Sequence, residues 1–398
     1  MTGTIMTMTR IELAGLLGTV SIALLLAAPP LAHSAEPAEL ISTIKSVDKK
    51  AKGNSAAGRA VTELARAEPA VLLPVLAAFH DANPLAANYL RSAAETIVDR
   101  AIAAKKTLPR KLLESFITDL KNDPQARRLA FEILQRVDAT VVDRLIPGML
   151  TDPSPLFRRD AVARLLDLAD RLHKEGQPDL AGTLYKRALQ GATDDDQVRA
   201  IAKPLRKLGE NLDLQHHFGF LTQWHIVGPF DNTKGKGFNV AYPPEEKIDL
   251  KATIKGKLGP ASWKPYKTTN DFGILDIAKQ ISPYKGAVMY CTTEFEAKAA
   301  KSIQFRLGTP NAWKLWVNGR LVFANEEYHR GMKLDQYSVP VTLRAGSNTI
   351  LLKICQNEQE QDWAQRYQFQ LRTCNVSGIA VHPADSAASL SQTKESRP

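Results

Sequence analysis

The apolar positions change period once along the chain. Up to Gln215 they recur at helical intervals, and beyond it they alternate singly, as in strands with one buried face. Between Ser154 and Gly176, Phe157, Ala161, Leu165, Leu168 and Leu172 share one stripe, with Arg158, Arg164, Asp167, Asp170 and Arg171 mostly off it. Ser154 is placed to cap this helix, Pro155 suits its first position, His173 and Lys174 suit the negative end of its dipole, and Gly176 suits a left-handed stop. Asp123-Pro124 opens another helix with Ala126, Leu129, Ala130, Ile133 and Val137 inward. Leu108-Pro109 opens a third with Leu112, Phe116, Ile117 and Leu120 inward. Short connections predict helices packed against their chain neighbours.

After Gln215 the pattern is that of strands. Ile303, Phe305 and Leu307 alternate with Gln304 and Arg306; Tyr337, Val339, Val341 and Leu343 alternate with Ser338, Pro340 and Thr342; Tyr367, Phe369 and Leu371 alternate with Gln368, Gln370 and Arg372. Asn318-Gly319 predicts a tight hairpin, because both residues tolerate the positive φ of a type I′ turn. Pro340 predicts that its strand lies at a sheet edge, or that its nitrogen faces away from a ladder. Several short strands with turn chemistry between them predict an antiparallel β-sandwich.

Composition sharpens this division. Of the 27 aromatic residues, six precede residue 216 and 21 follow it, so an Ala/Leu-packed helical region, 36–215, precedes an aromatic-packed sandwich, 216–380. The net charge of +10 divides into +3 over 36–215 and +7 over 216–398, with no basic arm, so no nucleic-acid partner is expected. Residues 1–35 read as a signal peptide: Arg10, an apolar run from Leu13 to Ala32, a Pro29-Pro30 break and small residues at Ser34-Ala35. An uncleaved membrane anchor is the rival reading. Cleavage is favoured by the prolines, leaving no integral span and a secreted, periplasmic or cell-envelope location. Cys291, Cys355 and Cys374 allow one bridge with one free thiol or three buried thiols, and the second is preferred because free cysteine packs as a small hydrophobe. Residues 381–398 read as a disordered polar tail.

A repeat emerges in the helical region. Asn83-Pro84 with Arg91 and Ala94, Asp123-Pro124 with Arg127 and Ala130, Asp152-Pro153 with Arg158 and Ala161, and Asp196 with Arg199 and Ala202 share an acid or amide, then Arg, then Ala three residues on. The arginines are 36, 31 and 41 residues apart, near the period of two-helix repeats. This resembles a degenerate HEAT-repeat array, best at 152–162, and 181–189 is nearer to a tetratricopeptide helix. The resemblance implies an α-α solenoid with a concave surface, serving as a protein scaffold or as a spacer. The basic pairs Arg110-Lys111 and Arg127-Arg128 read as solvated faces.

In the second half, 315–322 with its Val317-Asn318-Gly319 hairpin, followed by 337–353 with Leu343, Gly346 and Asn348, resembles the galactose-binding-like jelly-roll domain. Trp224 to Asn232 looks like the opening strand of a variant fused to signal peptides and helical repeats in bacterial envelope proteins. The resemblance implies a sugar-binding or bracing module, with a structural calcium ion as an option, although Asp231, Asn232 and Asp271 are scattered.

Sugar recognition needs an aromatic face and planar polar groups. Trp316 should point opposite to Trp313; Asn325, Glu327, Tyr328 and His329 lie in the polar loop after the hairpin, and Trp363 in another. These six are the candidate ligand-binding residues. No catalytic residue is assigned: Glu294 and Glu296 read as a solvated strand face, His216-His217 and His225 lack ligand spacing, Lys234 to Gly237 lacks the strand and helix of a phosphate loop, and no nucleophile elbow occurs. The expectation is an exported, non-catalytic binding or scaffold protein of the cell envelope. Its sandwich would bind a glycan and its helices an envelope protein, without a cofactor. Alternatives are a pure protein scaffold with a structural sandwich, and an accessory protein of a glycoside hydrolase system.

Overall fold

The computed structural model describes residues 36–48 and 50–384. The signal-peptide reading of 1–35 and the end of the polar tail, 385–398, lie outside these residues.

Helices fill the first half: α1 (Pro37–Lys45), α2 (Asn54–Leu64), α3 (Leu72–Ala77), α4 (Pro84–Ala103), α5 (Arg110–Thr118), α6 (Pro124–Gln135), α7 (Val141–Leu145), α8 (Pro155–Lys174), α9 (Pro178–Gly191), α10 (Asp195–Lys207) and α11 (Leu214–Phe218). Chain neighbours pack on each other, α1 on α2, α5 on α6, α8 on α9 and α9 on α10. Asn83 and Asp123 cap α4 and α6 by accepting backbone N–H bonds, with proline at the first helical position of each. Ser154 does not cap α8 with its side chain; Asp152 Oδ1 accepts the Ser154 N–H instead, at 2.8 Å.

The repeated alanines Ala94, Ala130, Ala161 and Ala202 are all buried. The arginines of the repeat are not equivalent. Arg127 is 1% exposed and grips Asp152 with two bonds, of 3.0 and 2.6 Å, while its Nε donates to the Ile117 carbonyl at 2.6 Å. Arg127 is therefore an interior fork joining successive helix pairs, not half of a solvated basic pair. Arg158 is buried too, against the expectation that it lies off the stripe. In α5 Leu113 and Ile117 face inward, whereas Leu112, and Leu120 beyond the helix end, are exposed; the inward stripe is narrower than the sequence predicts.

The second half forms antiparallel sheets from β1 (Gln223–Asp231), β2 (Thr253–Gly256), β3 (Gly259–Ser262), β4 (Lys264–Lys267), β5 (Leu275–Asp276), β6 (Ala287–Ala297), β7 (Lys301–Gly308), β8 (Ala312–Val317), β9 (Arg320–Asn325), β10 (Tyr337–Leu343), β11 (Gly346–Gln356) and β12 (Gln368–Cys374). Six strands run β4-β1-β6-β11-β8-β9, four run β10-β7-β12-β5, and β2-β3 pair alone. The two larger sheets share one core, in which Trp224, Phe295, Trp313 and Leu352 of the first meet Phe305, Val339 and Phe369 of the second. Trp224 and Phe369 touch edge to face, with centroids 5.1 Å apart. β10, with Pro340, is an edge strand. Asn318 and Gly319 both take positive φ, 51° and 77°, and join β8 to β9. Gly228 interrupts the β1 register beside β6, where a Cβ would lie 2.6 Å from Met289 Sδ. The three cysteines are free and buried.

Both faces of this pair of sheets are largely covered. The segment 232–263 lies over the outer face of the six-stranded sheet, where Phe238, Trp263, Tyr290, Trp316 and Leu351 form a second apolar layer. Lys353, fully buried, fastens this cover by donating to the carbonyls of Phe238 (3.0 Å) and Val240 (2.7 Å) and to Glu245 (2.7 Å). On the other side Gln370 and Arg372 are buried rather than exposed, and the helical region docks at Arg372. Arg372 donates to Asp335, to the Phe218 carbonyl (3.3 Å) and to the Gly378 carbonyl (3.0 Å), and Arg158 donates to the Ser377 carbonyl. The chain stays on the sheets past residue 380, with Ala384 N donating to the Glu296 carbonyl at 2.9 Å.

Candidate functional site

With both sheet faces covered, the polar loops at one end of the sandwich hold the most accessible candidates. Trp316 is not among them: it points opposite to Trp313, as alternation requires, but at 7% exposure it is packed beneath 232–263. Trp363, by contrast, is 59% exposed in the short turn Asp362–Ala364. The His329 ring stands edge-on to it, centroids 5.1 Å apart, and is fixed by a 2.6 Å bond between Nε2 and Asn357 Oδ1. Tyr328, beside His329, accepts a 3.1 Å bond from Asn232 Nδ2, and burial pushes its phenol up to about 12, so it remains a neutral hydroxyl.

Next to this group opens a shallow cleft of about 530 Å³ lined by Lys234, Glu326, Tyr328, Asn357, Glu358 and Gln359. Lys234 and Gly235 both take positive φ, which turns the loop so that the Lys234 N–H donates to Glu358 Oε2 at 2.9 Å. Asn325 and Glu327 form a neighbouring network. Glu327 accepts from Arg330 (2.6 Å), Asn325 (3.4 Å) and Tyr337 (3.3 Å), and the Arg330 bond foremost holds its carboxyl below the ordinary range. Of the six candidates, Tyr328, His329 and Trp363 come together, Asn325 and Glu327 brace the same loop, and Trp316 is excluded. Lys234, Asn357 and Gln359 were missed. The flexible basic turn of Lys234 to Gly237 was visible in the sequence, but not its return to the loop of 356–365.

A larger cleft of about 1250 Å³ runs beside β1 and β6 and is lined by His216, His225, His382, Asp213 and Glu294. The His216 and His382 rings stack 3.9 Å apart, and Asp213 caps α11 by accepting from His216 N at 2.8 Å. Among the described residues, no three His, Cys, Asp or Glu side chains converge to hold a metal ion. Asp231 pairs with Lys257 (3.0 Å) and Asp271 with Arg206 (2.8 Å), so the oxygens considered for calcium are dispersed. Among the described residues, the carboxyls that depart from their ordinary range, Asp81, Asp138, Asp196, Asp231, Glu327 and Asp335, are lowered. Among the described residues no helix is long and apolar enough to cross a membrane.

No family model and no curated protein matches this chain. Among solved structures it is similar to a β-glucosidase from Kluyveromyces marxianus (10% identity, TM-score 0.24, covering 43% of this chain and 18% of the glucosidase). It is also similar to a GH31 α-xylosidase from Xanthomonas citri (14%, TM-score 0.15, covering 39% and 16%). A third likeness is to an alkylpurine DNA glycosylase from Pseudomonas fluorescens, bound to DNA containing an abasic site analog (11%, TM-score 0.20, covering 86% and 94%). At these scores none assigns a function. The fold class shown is mixed, helices followed by antiparallel sheets.

Proposed function

We propose that this is an exported, non-catalytic binding protein of the cell envelope, a HEAT-like solenoid followed by a galactose-binding-like jelly roll, whose sandwich end binds a glycan without a cofactor. One observation carries the reading: Trp363 presents an open aromatic face that His329 and Asn357 hold in place beside a polar cleft. Stacking of a sugar on such a face uses apolar C–H surface, and the neighbouring amides and carboxylates take its hydroxyls. The paired sheets, with Arg127 joining successive helix pairs to Asp152, support the two fold labels.

Screening the full chain on a broad glycan array tests this. Retention is expected, with Trp363→Ala reducing affinity by about tenfold or more, as the loss of one stacked aromatic contact should. Trp363 is 59% exposed, so stability should hardly change. Uniform absence of retention across the panel removes the glycan reading. The second reading is a protein scaffold formed by the helical region, on which Leu112, Leu120, Leu156 and Leu180 are exposed. It predicts partners that are lost when these leucines become polar and kept in Trp363→Ala.

A further inference from the structure

A third cleft, of about 670 Å³, opens where α10 meets the four-stranded sheet. Four cations line it, Arg199, Lys279, Lys333 and Arg366, over Phe272 and Gln370. Its one acid, Asp195, is held by Arg199 at 2.6 Å, and Lys279 reaches Asp276 at 3.4 Å. The side chains of Lys333 and Arg366 have no ion-pair or hydrogen-bond partner among the described residues, and neither does the amide of Gln370, although that residue is buried. Arg199 occupies the repeat position that buries Arg127 and Arg158. Here it is exposed, its guanidinium 3.6 Å over the Phe272 ring.

We propose that this cleft takes the charged substituent of an anionic saccharide, a sugar bearing sulfate or carboxylate. The proposal rests on the glycan-binding reading and names its substrate class. The loop that carries His329 continues into the cleft as Lys333, and the turn that carries Trp363 continues into it as Arg366. The two segments thus carry residues of both the Trp363 group and the cationic cleft. Guanidinium forks and ammonium groups suit oxyanions, the stacked Arg199–Phe272 plane suits a ring face, and the Gln370 amide suits a hydroxyl. A neutral glycan would leave the charges of Lys333 and Arg366 unused.

The test compares dextran with dextran sulfate, and with polygalacturonate as the carboxylate arm, using the full chain at physiological ionic strength. At least one charged polymer should bind about tenfold or more tighter than dextran. Lys333→Gln with Arg366→Gln should abolish that preference. Lys251→Gln with Lys255→Gln removes the same charge from exposed positions of the 232–263 segment and should change affinity by less than about twofold. All four side chains are exposed, so folding is not at stake. Equal losses in the two double variants, or a charged-polymer preference that survives the cleft variant, overturn the proposal. Neutral glycans that bind through Trp363 with no preference for charge also overturn it, while leaving the glycan reading standing. Charged polymers that need the cleft but are indifferent to Trp363→Ala overturn the stacking role of Trp363, and with it the path from Trp363 to the cleft argued here.

Discussion

Asp335 lies where the helical and sheet regions meet, and changing it to Asn isolates one charge. Its carboxylate accepts from Arg372 Nε at 2.6 Å, from Arg372 Nη2 and from Arg306 Nη1 at 2.7 Å. Arg372 is 1% exposed and cannot recover the loss by turning to water. Asn keeps the shape and tolerates the positive φ of 56° at this position. It can still accept one bond, but it carries no charge. Breaking a buried ion pair from one side costs about 3–5 kcal/mol. Arg372 retains two carbonyl partners, so the lower end, about 3 kcal/mol, is expected. For a unit of this size that is a fall in melting temperature of about 6–12 °C. Denaturant unfolding followed by tryptophan fluorescence measures it directly. The pH dependence supplies a sign. Burial raises the Asp335 pKa, but the hydrogen bonds and charges of Arg372 and Arg306 outweigh it, and the net shift is downward. Its contribution is therefore complete above the unfolded value of about 3.9 and is lost as pH falls through the lower folded value. The gap between wild type and Asp335→Asn should close below about pH 4. A variant within about 0.5 kcal/mol of wild type at neutral pH, or a gap that widens on acidification, refutes the reasoning.

Two further outcomes follow from buried charge. Glu245→Gln leaves the ammonium of Lys353 buried with only carbonyl partners and should destabilise by about 2–3 kcal/mol, with Trp263 emission shifting to the red as the 232–263 cover loosens. His217 donates through Nε2 to the Ala192 carbonyl at 2.8 Å, and burial lowers its pKa; stability should fall as pH drops below the unfolded value of about 6.5, and His217→Gln should flatten melting temperatures measured between about pH 7.5 and 5.5.

Helices and strands were legible where one face of an element decides its place. Phe157, Ala161, Ile303, Phe305 and Leu307 are buried as their periods require, and the Asn318-Gly319 turn and edge Pro340 follow from backbone chemistry alone. The reading failed where an element has two covered faces. Arg158 and Arg372 looked solvated because periodicity assigns a polar residue to water, whereas each meets a partner from a distant segment, Ser377 or Asp335. Trp316 failed for the same reason. Its face was assigned correctly, but nothing local reveals that 232–263 returns to cover it. Trp363 remained exposed because its loop has no covering segment.

The repeated arginine shows how one sequence position changes role along the helices. Arg91 stays near the surface and reaches Glu132 on α6. Arg127 is drawn inside because the next helix pair offers Asp152 at bidentate distance, which compensates the desolvation of both groups. Arg158 also lies inside, but its partners change: it bonds the Asp152 backbone carbonyl at 2.9 Å, Thr193 at 3.3 Å and the Ser377 carbonyl of the sheet region, so it joins the helices to the sheets. Beyond α10, among the described residues, no further helix pair supplies an acid to bury, and Arg199 keeps the local Asp195 and the face of Phe272. The last long helix therefore leaves a guanidinium facing a cleft that also holds Lys333 and Arg366. A basic site at this junction needs no motif of its own, because it arises where a stacking rule meets a neighbour that cannot satisfy it.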